Sequence, residues 1–79
     1  VTIKRSLAIR GHRTSITLED AFWLRLTMVA EEAGRSTADY VALIDETRDP
    51  ETNLSSAIRV HLLEDALARI GNTKKDAAL

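Results

Sequence analysis

Apolar and polar residues alternate one by one from Arg13 to Leu18, with Thr14, Ile16 and Leu18 on one parity and Arg13, Ser15 and Thr17 on the other. A period of two that carries β-branched residues predicts one short strand. From Glu19 the period becomes helical: Phe22, Leu26, Val29, Ala30 and Ala33 recur at i, i+4, i+7, i+8 and i+11. The first helix is therefore expected over residues 19–33. It opens on a Thr17–Asp20 capping box, places Glu19 and Asp20 against the positive end of the helix dipole, and stops at Gly34. A second apolar row, Ala21, Leu24 and Met28, runs along the same helix.

Ser36 is an N-cap for a second helix that buries Tyr40, Val41 and Ile44 and halts at Asp49-Pro50, because the residue before proline avoids the helical region. Residues 47–53 are polar and read as a loop. A third helix starts at Leu54 or Ser55 and reaches Ile70, with Leu54, Ile58, Leu62, Leu63, Ala66, Leu67 and Ile70 on its apolar side. Gly71-Asn72 is expected to close it, leaving 71–79 as a disordered tail. No repeat of the solenoid kind is present.

Residues 1–12 are harder to place. Leu7 and Ile9 occupy odd positions, whereas Ile16 and Leu18 occupy even ones, so a continuous strand would change faces near Gly11-His12. A hairpin, a glycine bulge or a mobile basic arm would each account for the switch, and an arm or bulge is favoured. A lone strand cannot satisfy its own backbone groups, and the nearest partner is a second copy of itself. The expected organisation is a basic arm over 1–12, a domain over 13–70, and the tail. The fold class is mainly α with one short strand, dimerised through an intermolecular antiparallel ribbon.

With 79 residues the chain forms one domain, and a monomer of this size is marginally stable. It has no cysteine and two histidines, His12 and His61, so no disulfide or metal site is expected. No nucleophile–base pairing, Gly-rich phosphate loop or carboxylate–histidine cluster appears, so neither enzymatic activity nor a cofactor is expected. No apolar run approaches a membrane span and no signal-peptide core opens the chain, giving an expectation of a cytoplasmic protein with no membrane partner. The net charge of −1 conceals an asymmetry: Lys4, Arg5, Arg10 and Arg13 precede any acid, whereas residues 16–79 set seven basic residues against twelve acidic ones. The strand end thus faces an anionic partner better than the helices do.

Strand, helix, the turn Gly34-Arg35-Ser36 and a further helix, in this order over residues 14–46, resemble the ribbon-helix-helix family, the Arc and methionine-repressor superfamily. The wider pattern sharpens the resemblance toward a small bacterial subfamily of ribbon-helix-helix domain proteins over residues 4–69. It comprises Lys4-Arg5-Ser6, then Arg10-Gly11-His12-Arg13-Thr14-Ser15, Leu18-Glu19-Asp20 with Phe22-Trp23, and Asn53-Leu54-Ser55-Ser56-Ala57-Ile58-Arg59. The resemblance implies a two-fold homodimer whose paired strands enter the major groove of double-stranded DNA. Carried onto this chain, Arg13, Ser15 and Thr17 would contact bases, and Thr14, Ile16, Leu18, Phe22, Leu26, Val41 and Ile44 would form the dimer core. Arg35, Ser36 and Thr37, at the start of the second helix, would hold a phosphate, joined by the cations Lys4, Arg5 and Arg10. The helix beyond Pro50 departs from the simplest members.

A homodimeric transcriptional regulator, a repressor open to higher-order assembly on repeated half-sites, is the leading expectation. The alternative is a protein-interaction module, antitoxin-like or otherwise partner-binding, with little DNA reading. Several residues have plainer roles: Ser36 as a cap, His12 as a turn residue, Trp23 as packing, and His61 beside Arg59 on a solvated face. Leu24 and Met28 are expected to be mostly buried against Leu62, Leu63 or Leu67, from the same chain or its dimer mate, because an uncovered apolar stripe is a liability.

Overall fold

The computed structural model describes the backbone of residues 2–77 and the side chains of residues 2–71. The elements run β1 (Thr2–Ile9), β2 (His12–Glu19), α1 (Asp20–Glu32), α2 (Thr37–Thr47) and α3 (Leu54–Ala77). The strand over 13–18 does find an antiparallel partner, but that partner is β1 of the same chain. The expected arm or bulge over 1–12 is corrected to an eight-residue strand, and the single strand of the expected fold becomes a hairpin. An intermolecular ribbon is not required to satisfy β2.

Arg10 and Gly11 form the turn, with φ of 51° and 79°. Two successive positive φ values define the two-residue turn whose twist matches a β-hairpin. Glycine adopts this region freely. Arg10, which does not, is held there from α2: its guanidinium donates to the Ala42 carbonyl at 2.9 Å and lies 3.8 Å from Asp45 and 3.6 Å from Glu46. Across such a turn, residues that face each other have opposite parity, as in Leu7↔Thr14 and Arg5↔Ile16. The parity change near Gly11 is thus the mark of the hairpin.

One hairpin face meets the helices. Ile9, Ile16 and Leu18 join Leu26, Val29, Val41, Ile44, Ile58 and Leu62 in one core, with Leu7, Phe22, Trp23 and Tyr40 packed around it. β1 lies against α2, and β2 lies against α1 and α3. The residues expected to form a dimer core therefore close the core of a single chain, with Thr14 and Phe22 half-buried at its margin.

The helix boundaries follow local signals, with two corrections. The N-cap of α1 is Glu19, without a side-chain cap bond, so the Thr17–Asp20 capping box does not form. The Thr17 backbone is engaged elsewhere, its N–H donating to Ser55 Oγ at 2.9 Å and its carbonyl accepting from Arg59 at 3.0 Å. At the other end, Gly34 (φ 70°) closes α1, with Gly34 N–H to the Glu31 carbonyl and Arg35 N–H to the Ala30 carbonyl, a Schellman arrangement. Ser36 Oγ accepts from Asp39 N–H to cap α2, and Asn53 Oδ1 accepts from Ser56 N–H at the start of α3. The second correction concerns Gly71-Asn72, which does not end α3. Gly71 lacks the positive φ of a glycine cap, and the helix continues to Ala77, so of the expected tail only 78–79 lies outside the described residues.

Within one chain, the expected cover of the second row on α1 is also corrected. Leu24 is 63% and Met28 53% exposed, and Leu63 and Leu67 of α3 are each 56% exposed. α3 reaches α1 between its two apolar rows, where Arg25 and Arg69 bridge Asp65 and Glu32 at 2.9–3.3 Å. Arg25 follows Ala21, and Glu32 follows Met28, by one helical turn, so these ion pairs stop α3 at the inner edge of the outer row and leave Leu24 and Met28 uncovered within the chain.

Candidate nucleic-acid interface

Strand alternation sends Thr2, Lys4, Ser6 and Ala8 of β1 to the face opposite the core, beside Arg13, Ser15, Thr17 and Glu19 of β2. All are exposed except the half-buried Glu19. The cross-strand pairs on this face are Lys4–Thr17, Ser6–Ser15 and Ala8–Arg13. Lys4 and Arg13 make no ion pair among the described residues. Glu19, the only acid on this face, is bound by the Arg59 guanidinium at 2.9 Å, which holds its carboxyl below the usual carboxylate range. That tie is present above the unfolded carboxylate range and is lost as pH falls through the depressed value.

The candidate residues thus separate into groups. Arg13, Ser15 and Thr17 come together on one exposed face, and Lys4 joins them from β1. Arg5 does not: it lies on the inner side, its guanidinium 4.3 Å from the Trp23 ring and 3.8 Å from Asp20, so it clamps the ribbon to α1. Arg10 is committed to the end of α2. Arg35, Ser36 and Thr37 sit at the start of α2, with Arg35 and Ser36 exposed and the Ser36 hydroxyl used as the cap. The alternation pattern over 13–18 gave no sign of Ser6, nor of the place of Lys4 on the same outward face as Arg13. The signal that would have found them is the parity switch, since a hairpin places even residues of β1 beside odd residues of β2.

Other tethers hold the ribbon still. Ser55 and Arg59 of α3 grip the Thr17 backbone, and Arg59 also lies 5.9 Å from the Phe22 ring. His61 is not on a solvated face: half-buried, it shares a 2.7 Å hydrogen bond with the Tyr40 hydroxyl and joins α2 to α3. Burial pushes the Tyr40 hydroxyl up from its ordinary range, which keeps the proton on it. Trp23 acts in packing. Among the described residues there is no group of three or more metal-binding side chains, and no helix is long and apolar enough to cross a membrane.

An exposed two-stranded ribbon of small, hydroxylic and basic side chains, braced by helices, defines a class of ribbon-bearing helical domains. The family model described as ribbon-helix-helix domain matches residues 2–66, so the chain belongs to the ribbon-helix-helix domain family. Domains of this family are generally DNA-binding regulators or antitoxins rather than enzymes. No curated protein and no solved structure matches the chain.

Proposed function

We propose that this domain is a DNA-binding transcriptional regulator that lays the outer face of its β1–β2 ribbon in the major groove. The observation that carries this is the composition of that face: Lys4, Ser6, Ala8, Arg13, Ser15 and Thr17 are exposed, and neither cation has an internal partner among the described residues. A two-stranded ribbon fits a groove about 12 Å wide. Arg13 is suited to bidentate hydrogen bonding with guanine, the hydroxyls of Ser15 and Thr17 to base edges, and the N–H groups of Ser36 and Thr37, with the Arg35 side chain, to a phosphate; the Arg35 N–H itself is spent on the Ala30 carbonyl.

A mobility-shift assay against the chain's own upstream DNA, with random DNA as competitor, tests the proposal. Arg13→Ala should lower affinity by about 1–3 kcal/mol, the value of one bidentate base contact, without changing the fold. Because only two ribbon cations are free, the salt slope should be shallow, near −2, so affinity falls about tenfold between 50 and 200 mM salt. Unchanged affinity in Arg13→Ala would move the contact away from the ribbon.

A second function, holding a protein partner, is favoured by the α1–α3 surface. Leu24 and Met28 on α1 and Leu63, Leu67 and Ile70 on α3 are each more than half exposed. Between the helices lies a groove of about 220 Å³ lined by Ala21, Phe22, Arg25, Leu62, Leu63 and Ala66. A ridge beside a groove is self-complementary, and the occupant we propose is a second copy, giving a homodimer with two ribbons. Five such side chains expose roughly 500 Å² per copy, so two copies reach the ~1,000 Å² of a small stable interface. Sedimentation should show a dimer that Leu24→Asp with Leu63→Asp converts to a folded monomer. A wild-type monomer at 100 µM, on the order of the weakest useful interfaces, would remove self-association.

A further inference from the structure

The two strands of the ribbon repeat one another. Lys4-Arg5-Ser6-Leu7-Ala8-Ile9 and Arg13-Thr14-Ser15-Ile16-Thr17-Leu18 both read basic, polar, serine, aliphatic, small, aliphatic, nine residues apart. In an antiparallel pair, a two-fold axis through any cross-strand rung maps one strand onto the other, and each rung corresponds to one sequence offset. With the observed register, an offset of nine selects the Ser6↔Ser15 rung. Rotation about that rung carries Lys4 onto Arg13, Ser6 onto Ser15 and Ala8 onto Thr17 on the outer face. On the inner face it carries Arg5 onto Thr14, Leu7 onto Ile16 and Ile9 onto Leu18. The sequence repeat and the strand register therefore define the same axis.

We infer that a single copy of the chain carries a complete, pseudo-two-fold reading surface. It recognises a short, near-palindromic duplex site, with Lys4 and Ser6 of β1 reading one half as Arg13 and Ser15 of β2 read the other. This rests on the DNA-binding function proposed above and adds its stoichiometry, its second set of base contacts and the symmetry of its target. Protein two-fold symmetry is mirrored in the symmetry of the site it reads. Lys4 and Arg13 are four residues apart along the ribbon, about 14 Å at 3.4 Å per residue. That distance matches roughly four base-pair steps at 3.4 Å each, which places a guanine on opposite strands near the two ends of a site of about five base pairs. Lysine against arginine and Ala8 against Thr17 make the two halves unequal, so the Arg13 half is the more stringent.

Selection of the full chain on a random-sequence duplex library, followed by anisotropy titration of the enriched duplex, tests this. Wild type is compared with Lys4→Ala and Arg13→Ala, and thermal midpoints control for folding, because both side chains are exposed. The expected result is a near-palindrome of about five base pairs, with each variant binding about 5- to 150-fold more weakly and losing base preference at one end only. If Lys4→Ala leaves affinity and preference unchanged while Arg13→Ala does not, DNA reading stands but the one-chain surface is overturned. If both variants weaken binding and leave the preference intact, the two cations hold phosphates and the reading surface is overturned. If no duplex is enriched and none competes with bulk DNA, the DNA-binding function itself fails.

Discussion

Truncation of Leu18 to alanine should cost about 3–5 kcal/mol, the upper range for a buried leucine. Leu18 is fully buried, and it sits where the hairpin meets the helical layer, between Ile16 and the start of α1. A chain of this length has a total stability on the order of 4–12 kcal/mol, so the loss is a large part of it. Leu24→Ala should shift stability by less than about 0.5 kcal/mol in the isolated chain, as for any surface substitution. Sequence alone would assign Leu24 a cost of about 2–4 kcal/mol, as for a buried leucine. Denaturant titration of the two variants checks the contrast. Near-equal costs would mean that the outer row of α1 is covered, by a second copy or otherwise, and a concentration series would separate those cases.

Oxidation of a Ser6→Cys, Ser15→Cys double variant should give a cross-link within one chain. The phase of the ladder makes this pair suitable. The two-residue turn closes on Ile9↔His12, so hydrogen-bonded pairs alternate from there and Ser6↔Ser15 is a non-hydrogen-bonded pair. The outward Thr17 backbone bonds to Ser55 and Arg59 fix the same phase independently. Non-hydrogen-bonded pairs approach to about 4.5 Å between Cα atoms, within the range a disulfide spans. The chain has no other cysteine, so the product is unambiguous. Closing a loop of about ten residues should add about 2–3 kcal/mol in the chain-entropy picture. Non-reducing electrophoresis decides the question: a monomer band supports the hairpin, whereas a covalent dimer would return the ribbon to an intermolecular pairing.

Much of the helical layer was legible because its signals are local. Gly34, Ser36 and Asp49-Pro50 act through φ, a side-chain oxygen and a steric clash within a few residues, and α1 ends, and α2 begins and ends, where these predict. Gly71 shows the reverse case: a glycine stops a helix only when it adopts the left-handed region, and here it does not.

The ribbon was legible by halves. Alternation over 13–18 gives a strand and its two faces but not its partner, because strand hydrogen bonds are made to residues distant in sequence. The clue was present in the parity switch at Arg10-Gly11 and in the repeat offset by nine, both of which describe a hairpin only when read together. Arg5 and Arg10 resemble Lys4 and Arg13 in sequence, yet packing sends the first pair to Trp23 and α2 and leaves the second pair outward.

The sequence by itself determined the helix limits through Thr47, the two-faced strand over 13–18, the concentration of positive charge before position 16 and the family resemblance. Only the tertiary structure decided that β2 pairs with β1, which cations reach the outer face, and that α3 of the same chain leaves the second apolar row of α1 open. Periodicity is a property of one element, whereas pairing and burial depend on which other element arrives. On α1 two apolar stripes competed for one core, and α3 met the helix along the flank of the stripe that carries Leu26 and Val29.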